Sequence, residues 1–125
     1  MAHFIFKQLS YLLLKLAFSV RNILGAGLLE SAYEGAFCIE LNKAGIPYER
    51  QKVYPLYYKG EYIGAYIADL IVDNKIILEL KSVSTLTPVM EAHITNYLRL
   101  SKLQVGYLIN FNAIKLEWKR FINLR

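Results

Sequence analysis

Two carboxylates and one ammonium group interrupt an otherwise apolar stretch, Tyr66-Ile-Ala-Asp-Leu-Ile-Val-Asp-Asn-Lys-Ile-Ile-Leu-Glu-Leu-Lys-Ser82. They are Asp69, Glu79 and Lys81. Buried strands carry few charges, because taking a charge out of water is costly unless a partner compensates. The stretch reads as two strands joined by Asp73-Asn74-Lys75. A turn centred on Asn74 sets Asp69 directly opposite Glu79, and like charges facing across a ladder repel. Something positive must relieve them. A buried ion-pair triad with Lys81 would do so for structure alone, whereas a divalent metal ion would bring chemistry. Glu79 and Lys81, two apart on a strand, project to one face. A one-residue slip of the hairpin would send Asp69 to the other face and dissolve the constellation. Hard oxygen ligands suit Mg²⁺, and a cation beside them is what phosphodiester hydrolysis needs to stabilise charge in its transition state.

The elements that must position these groups follow from periodicity. Leu9 to Leu24 has a helical apolar face (Leu9, Leu12, Leu13, Leu16, Ala17, Val20, Leu24). Gly25-Ala-Gly27 interrupts it, and a second helix runs from about Leu28 to Lys43. Its apolar positions are Leu29, Ala32, Tyr33, Ala36, Ile39 and Leu41, with Glu30, Glu34 and Glu40 on the charged side. Gly45 and Pro47 end it. Strands follow over Tyr48–Tyr58, where Pro55 suits an edge or a bulge, then Tyr62–Val72 and Ile76–Ser82, as an antiparallel meander. Thr87-Pro88 caps a third helix reaching Lys102. Gln104–Phe111 and Ile114–Ile122 complete the order ααβββαββ. The fold class expected is α/β, a mixed sheet flanked by helices in one domain over residues 1–125.

Composition narrows the function. With 55% hydrophobic and 20% charged residues among 125, the chain is globular and can bury a core. A net charge of +5 favours an anionic partner, nucleic acid before a membrane surface. Lys43, Arg50, Lys52, Lys59, Arg99, Lys102, Lys115, Lys119 and Arg120 are candidates for tracking phosphates, and the tyrosines for stacking on bases. Ser10–Val20 is interrupted by Lys15 and too short for a membrane span or a clean signal peptide, so no membrane partner is expected. Cys38 is the lone cysteine, which leaves no disulfide framework or cysteine-rich zinc site. A reducing cytoplasm fits.

Asp69 followed ten residues later by Glu79-Leu80-Lys81 resembles the PD-(D/E)xK nuclease superfamily, whose restriction-endonuclease-like core has the αβββαβ order. Gly27-Leu-Leu-Glu30-Ser-Ala-Tyr33 is similar to the signature of the small prokaryotic GxxExxY proteins. That likeness continues through Ala44–Gln51, Tyr57–Gly60, Ala68–Leu70, Leu86–Pro88 and Leu108–Phe111. The resemblance implies metal-dependent hydrolysis of nucleic-acid phosphodiesters, DNA before RNA. Asp69 and Glu79 would bind Mg²⁺ or Mn²⁺, with the Leu80 backbone carbonyl as a further oxygen and Glu30 as an additional acid near the metal. Lys81 would position the hydrolytic water and stabilise developing charge. His93 and Tyr97 occupy the places of a glutamine and a tyrosine on the helix after the ExK strand. Two departures stand out: Ala68 replaces the proline of the name motif, and His93 replaces glutamine. The second motivates an alternative, a nucleic-acid-binding module with weak or no catalysis. So small a domain is expected to grip substrate with a second copy or a partner protein.

Overall fold

The structure is a computed structural model that describes residues 5–123; residues 1–4 and 124–125 of the expected domain lie outside the described residues. Its elements are α1 (Lys7–Leu24), α2 (Glu30–Ala44), β1 (Tyr48–Tyr58), β2 (Glu61–Val72), β3 (Ile76–Lys81), α3 (Pro88–Ser101), β4 (Val105–Asn110) and β5 (Glu117–Ile122), in the order the periodicity predicts. Among the described residues no helix is long and apolar enough to cross a membrane.

Local chemistry sets the boundaries. Thr87 accepts a hydrogen bond from the Met90 N–H at the start of α3, with Pro88 in the first turn. Gly45, at φ 70°, ends α2 by donating back to Asn42 and Leu41. Lys59 and Gly60 both take positive φ (50° and 82°) between the paired residues Tyr58 and Glu61. A two-residue turn of that hand matches the twist of a hairpin.

The five strands lie side by side in sequence order, with β3 and β4 parallel and every other neighbouring pair antiparallel. A parallel step needs a crossover, and α3 supplies it. One face of the sheet packs on α1 and α2 through Leu13, Ala17, Tyr33, Phe37, Leu78 and Ile109. The other packs on α3 through Ala68, Ile71, Ile77, Tyr97 and Leu98. β3 is covered on both sides, so Ile76–Leu80 are all buried.

The hairpin register centres on Asn74: Leu70 faces Leu78, Ile71 faces Ile77 and Val72 faces Ile76. Strict alternation fails one residue further out. Leu70 and Val72 belong to the α1/α2 core, yet Ala68 belongs to the α3 core. β2 therefore turns over at Asp69. β1 does the same, since Tyr48 packs with α1/α2 and Tyr54 with α3. Between them Gln51 is held at φ 54°, a left-handed conformation that is uncommon for such a residue.

Helix α2 differs from expectation in which face it buries. Glu34, expected on the charged side, is only 8% exposed, while Ile39 and Leu29 are 56% and 79% exposed. The buried arc is Tyr33, Phe37 and Leu41 flanked by Glu34 and Cys38. Apolarity alone misplaces the arc because Glu34 finds polar partners inside.

Candidate active site

The backbone ladder between β2 and β3 stops at Leu70–Leu78, and side chains make the next step. The Asp69 N–H donates to Glu79 Oε2 at 2.9 Å, and the Leu80 N–H donates to Asp69 Oδ2 at 2.8 Å. Each carboxylate takes the place a strand carbonyl would occupy, so two buried N–H groups stay satisfied while the strands part. β3 continues beside β4 as far as the pair Lys81–Asn110, and β2 continues beside β1. The sheet forks, and both carboxylates stand in the crotch with one oxygen each left over from these bonds.

The fork is electrostatically crowded. Glu79, 5% exposed, has its carboxyl pushed up to about 8, first by burial and then by the charge of Asp69; the Asp69 N–H and Lys81 pull it back only in part. Burial also raises Asp69, opposed by the Leu80 N–H and by Lys81, and reinforced by Glu34 and Glu30. Lys81 sits near enough to act on both acids, but none of the ion pairs among the described residues includes it. A structural triad would close that contact. Two carboxyl groups facing one detached ammonium repel each other in their charged forms, and as hard oxygen donors they are the residues here that could hold a divalent cation. Among the described residues no three or more His, Cys, Asp or Glu side chains form a metal-holding group; the site is a pair, and Glu30 stands off from it.

The other expected residues sit around the fork at different ranges. Glu30 opens α2 and is exposed; its Oε2 accepts from the Ser82 N–H at 3.4 Å, just past Lys81. The turn before it is tied down by Tyr33, whose hydroxyl donates to the Gly25 carbonyl at 2.7 Å and accepts from the Leu28 N–H at 3.1 Å. The Tyr33 ring stacks on Phe111 at 4.6 Å, so this tyrosine is core, as its apolar setting suggests. Leu80 buries its side chain in the α1/α2 core, and its N–H holds Asp69. Tyr97 is 8% exposed, and its hydroxyl is pushed up to about 12 by burial and by the charges of Glu79 and Asp69. His93, one turn earlier on α3, is exposed and takes part in none of the hydrogen bonds or ion pairs among the described residues. The structure brings Tyr97 to the carboxylates and leaves His93 at the rim.

Three residues that sequence reasoning did not place at the site support the fork. Glu34 accepts from Arg50 Nε at 2.6 Å with one oxygen and from Gln51 Nε2 at 2.7 Å with the other. Gln51 lies on β1 between the pairs Arg50–Leu70 and Lys52–Ala68, abreast of Asp69. The kink in β1 is thus pinned to α2 at the level where β2 turns over. A contiguous polar pair, Arg50-Gln51, early in a strand was the one available signal. Arg50 is therefore not a free phosphate contact. Lys52 likewise pairs with Glu49 and Lys119 with Glu91, while Arg120 donates to the Tyr107 hydroxyl and the Ile5 carbonyl.

A family model described as the PD-(D/E)XK nuclease superfamily matches residues 7–121. Among solved structures, one described as "Crystal structure of SSO0001" is similar, with a TM-score of 0.53 and 16% identity over 73% of this chain and 48% of that one. At that identity the likeness is one of fold, and this chain spans about half the length of that protein. No curated protein matches the sequence.

Proposed function

The chain belongs to the PD-(D/E)XK nuclease superfamily, and from that premise we propose that it is a Mg²⁺- or Mn²⁺-dependent nuclease hydrolysing nucleic-acid phosphodiesters, DNA in preference to RNA. The observation that carries the reading is the fork: a buried and a half-buried carboxylate, each fixed by a backbone N–H, with an ammonium group close by that neutralises neither. Asp69 and Glu79 hold the metal, helped by the Leu80 carbonyl, and Glu30 acts on it from the mouth of the site. The bound cation supplies Lewis-acid stabilisation of charge on the phosphoryl oxygens and favours hydroxide over water. Lys81 orients the attacking water and stabilises negative charge at phosphorus as the new P–O bond forms and the ester P–O bond breaks. The Tyr97 hydroxyl, held protonated by burial and then by its acidic neighbours, serves as a hydrogen-bond donor to the phosphate. His93 donates a hydrogen bond to the phosphate from the rim.

The finer placement, in the prokaryotic GxxExxY branch, rests on Gly27, Glu30 and Tyr33. A cytoplasmic setting and a second copy or partner protein that widens the grip on substrate belong to the same proposal. The second reading, a binding module with little catalysis, is favoured by the detachment of His93 and the two-carboxylate site.

One assay separates them. Purified protein is incubated with single- and double-stranded DNA and RNA, with Mg²⁺, Mn²⁺ or chelator. Metal-dependent cleavage that falls at least about a hundredfold in Asp69→Ala and Lys81→Ala is the expected result. Binding without cleavage in either metal, unchanged in Lys81→Ala, rejects the nuclease reading.

A further inference from the structure

Three cations gather at the end of β3 opposite the fork. Lys75 lies in the β2–β3 turn just before β3, Arg99 in the last turn of α3, and Lys102 just past that helix. They line a cavity of about 470 Å³ that Asn74, Gln104 and Asn123 also border. The Asn123 N–H donates to the Gln104 carbonyl at 2.8 Å, which ties the segment after β5 to the one before β4. Phe6 and Leu103 supply an apolar wall, and Lys75 Nζ lies 5.9 Å from the centre of the Phe6 ring. β3 starts at this cavity and reaches Glu79 only after roughly 13 Å. No carboxylate lines the space. Asp73, beside it, pairs with Lys75 at 3.0 Å. Arg99 donates to Asn96 Oδ1, and neither Arg99 nor Lys102 belongs to an ion pair among the described residues. The side chains of Asn74, Gln104 and Asn123 make no hydrogen bond among the described residues. The end of α3 attracts cations, but its partial charge is only about half a unit. That does not account for Lys75, which comes from another element. Nor does it account for a lysine at φ 63°, a left-handed position that favours glycine.

We infer that this cavity binds a free nucleotide, a nucleoside monophosphate held by its phosphate group. Lys75, Arg99 and Lys102, less the Asp73 carboxylate, leave two positive charges. A phosphomonoester carries about −1.5 to −2 near pH 7, so the charges match. Arg99 offers planar paired donors to two phosphate oxygens, while Lys75 and Lys102 add point charges. The cavity volume lies within the range of small-molecule sites, about 300–1,000 Å³, and leaves room beyond a phosphate. What fills the rest must be part apolar and part hydrogen-bonding, as a base with its sugar is. Phe6 and Leu103 suit the flat faces of a base, and the unengaged amides suit its edge and the sugar hydroxyls. The lining comes from four separate segments of chain: the start of α1, the β2–β3 turn, the end of α3 with its following loop, and the residue after β5. A space enclosed from four sides is a pit, which suits a free nucleotide better than a strand passing through. The inference goes beyond the nuclease reading and does not depend on it, since the cavity shares no residue with the fork.

The test is isothermal titration calorimetry of the full chain, with chelator present so that no metal at the fork recruits phosphate. The probes are adenosine and uridine 5′-monophosphate, adenosine, ribose 5-phosphate, and a single-stranded oligonucleotide of about 12 nucleotides without terminal phosphate. At least one monophosphate should bind with a Kd below about 1 mM. Adenosine, which lacks the phosphate, and ribose 5-phosphate, which lacks the base, should each bind about tenfold or more weakly. Arg99→Gln with Lys102→Gln should lower monophosphate affinity about tenfold or more. Lys75→Gln, on the turn and clear of α3, should lower it severalfold. Lys15→Gln removes one charge from α1 away from the cavity and should leave affinity unchanged. A variant whose thermal melting matches wild type reports on binding alone. No binding of either monophosphate, equal binding of adenosine or ribose 5-phosphate, or no loss in the cavity variants overturns the inference. So does displacement of the monophosphate by the oligonucleotide at equal affinity, since the cations then follow the backbone of a strand. No cleavage is measured, so the result leaves the nuclease reading to its own assay.

Discussion

The two halves of β3 are built on opposite terms. Ile76, Ile77 and Leu78 are fully buried and hydrogen-bonded to strands on both sides. Glu79, Leu80 and Lys81 keep the ladder to β4 alone, and on the β2 side their place in the ladder is filled by the carboxylates of Asp69 and Glu79. The first half is held by packing that water never sees. The second trades a backbone ladder for side-chain acceptors and gains a cleft lined with charge. The charges are tolerated because the strand has already been anchored by its apolar half, and because each carboxylate replaces a lost carbonyl instead of adding an unmet demand.

That contrast can be broken from either side. Leu78→Ala removes a side chain with 0% exposure from the closed half and should cost about 2–5 kcal/mol of stability in urea denaturation. Lys81→Met, on the forked half, should cost less than about 1 kcal/mol, since no ion pair is broken, while cleavage collapses. If Lys81→Met destabilises as much as Leu78→Ala, the fork is a structural ion cluster and the division of labour is wrong. A smaller effect sharpens the picture. Glu34→Gln keeps the shape of the residue that holds Arg50 and Gln51 but loses its charge. With the Arg50 side chain 47% exposed, the expected loss is only about 1 kcal/mol. Chemical denaturation with and without Mg²⁺ should show a weaker metal response than wild type if the β1 kink helps to aim Asp69. An unaltered metal response would confine Glu34 to holding β1 on α2.

Most of the architecture was legible because several local signals agreed. Asp73 and Asn74, residue types that tolerate positive φ, both adopt it (52° each). Apolar strands on both sides of that turn then leave one register that buries them, and it places Asp69 opposite Glu79. The turnover at Asp69 was hidden for the same reason. Ala68 and Leu70 are both apolar, and with core on both sides of the sheet either residue could face either way. Glu34 was misassigned because residue type marks a helix position as charged, while its partners Arg50 and Gln51 lie 16 and 17 residues away. His93 and Tyr97 do share a helix face, as their spacing requires, but spacing says nothing of how far along the helix the face leaves the sheet. Only the later residue reaches the acids.

The central claim is that the two fork carboxyls repel each other in their charged forms and that a divalent cation relieves them, and stability against pH tests it directly. The Glu79 carboxyl is raised in the folded chain from 4.5 to about 8. Between those values the folded state binds more protons than the unfolded one, so stability falls as pH rises. With chelator present, denaturation from pH 5 to 9 should lose a few kcal/mol up to about pH 8 and then level off. Saturating Mg²⁺ or Mn²⁺ should flatten the decline by stabilising both carboxylates in their charged form, and Glu79→Gln should flatten it without metal. Identical curves with metal and with chelator, both insensitive to Glu79→Gln, would contradict the account.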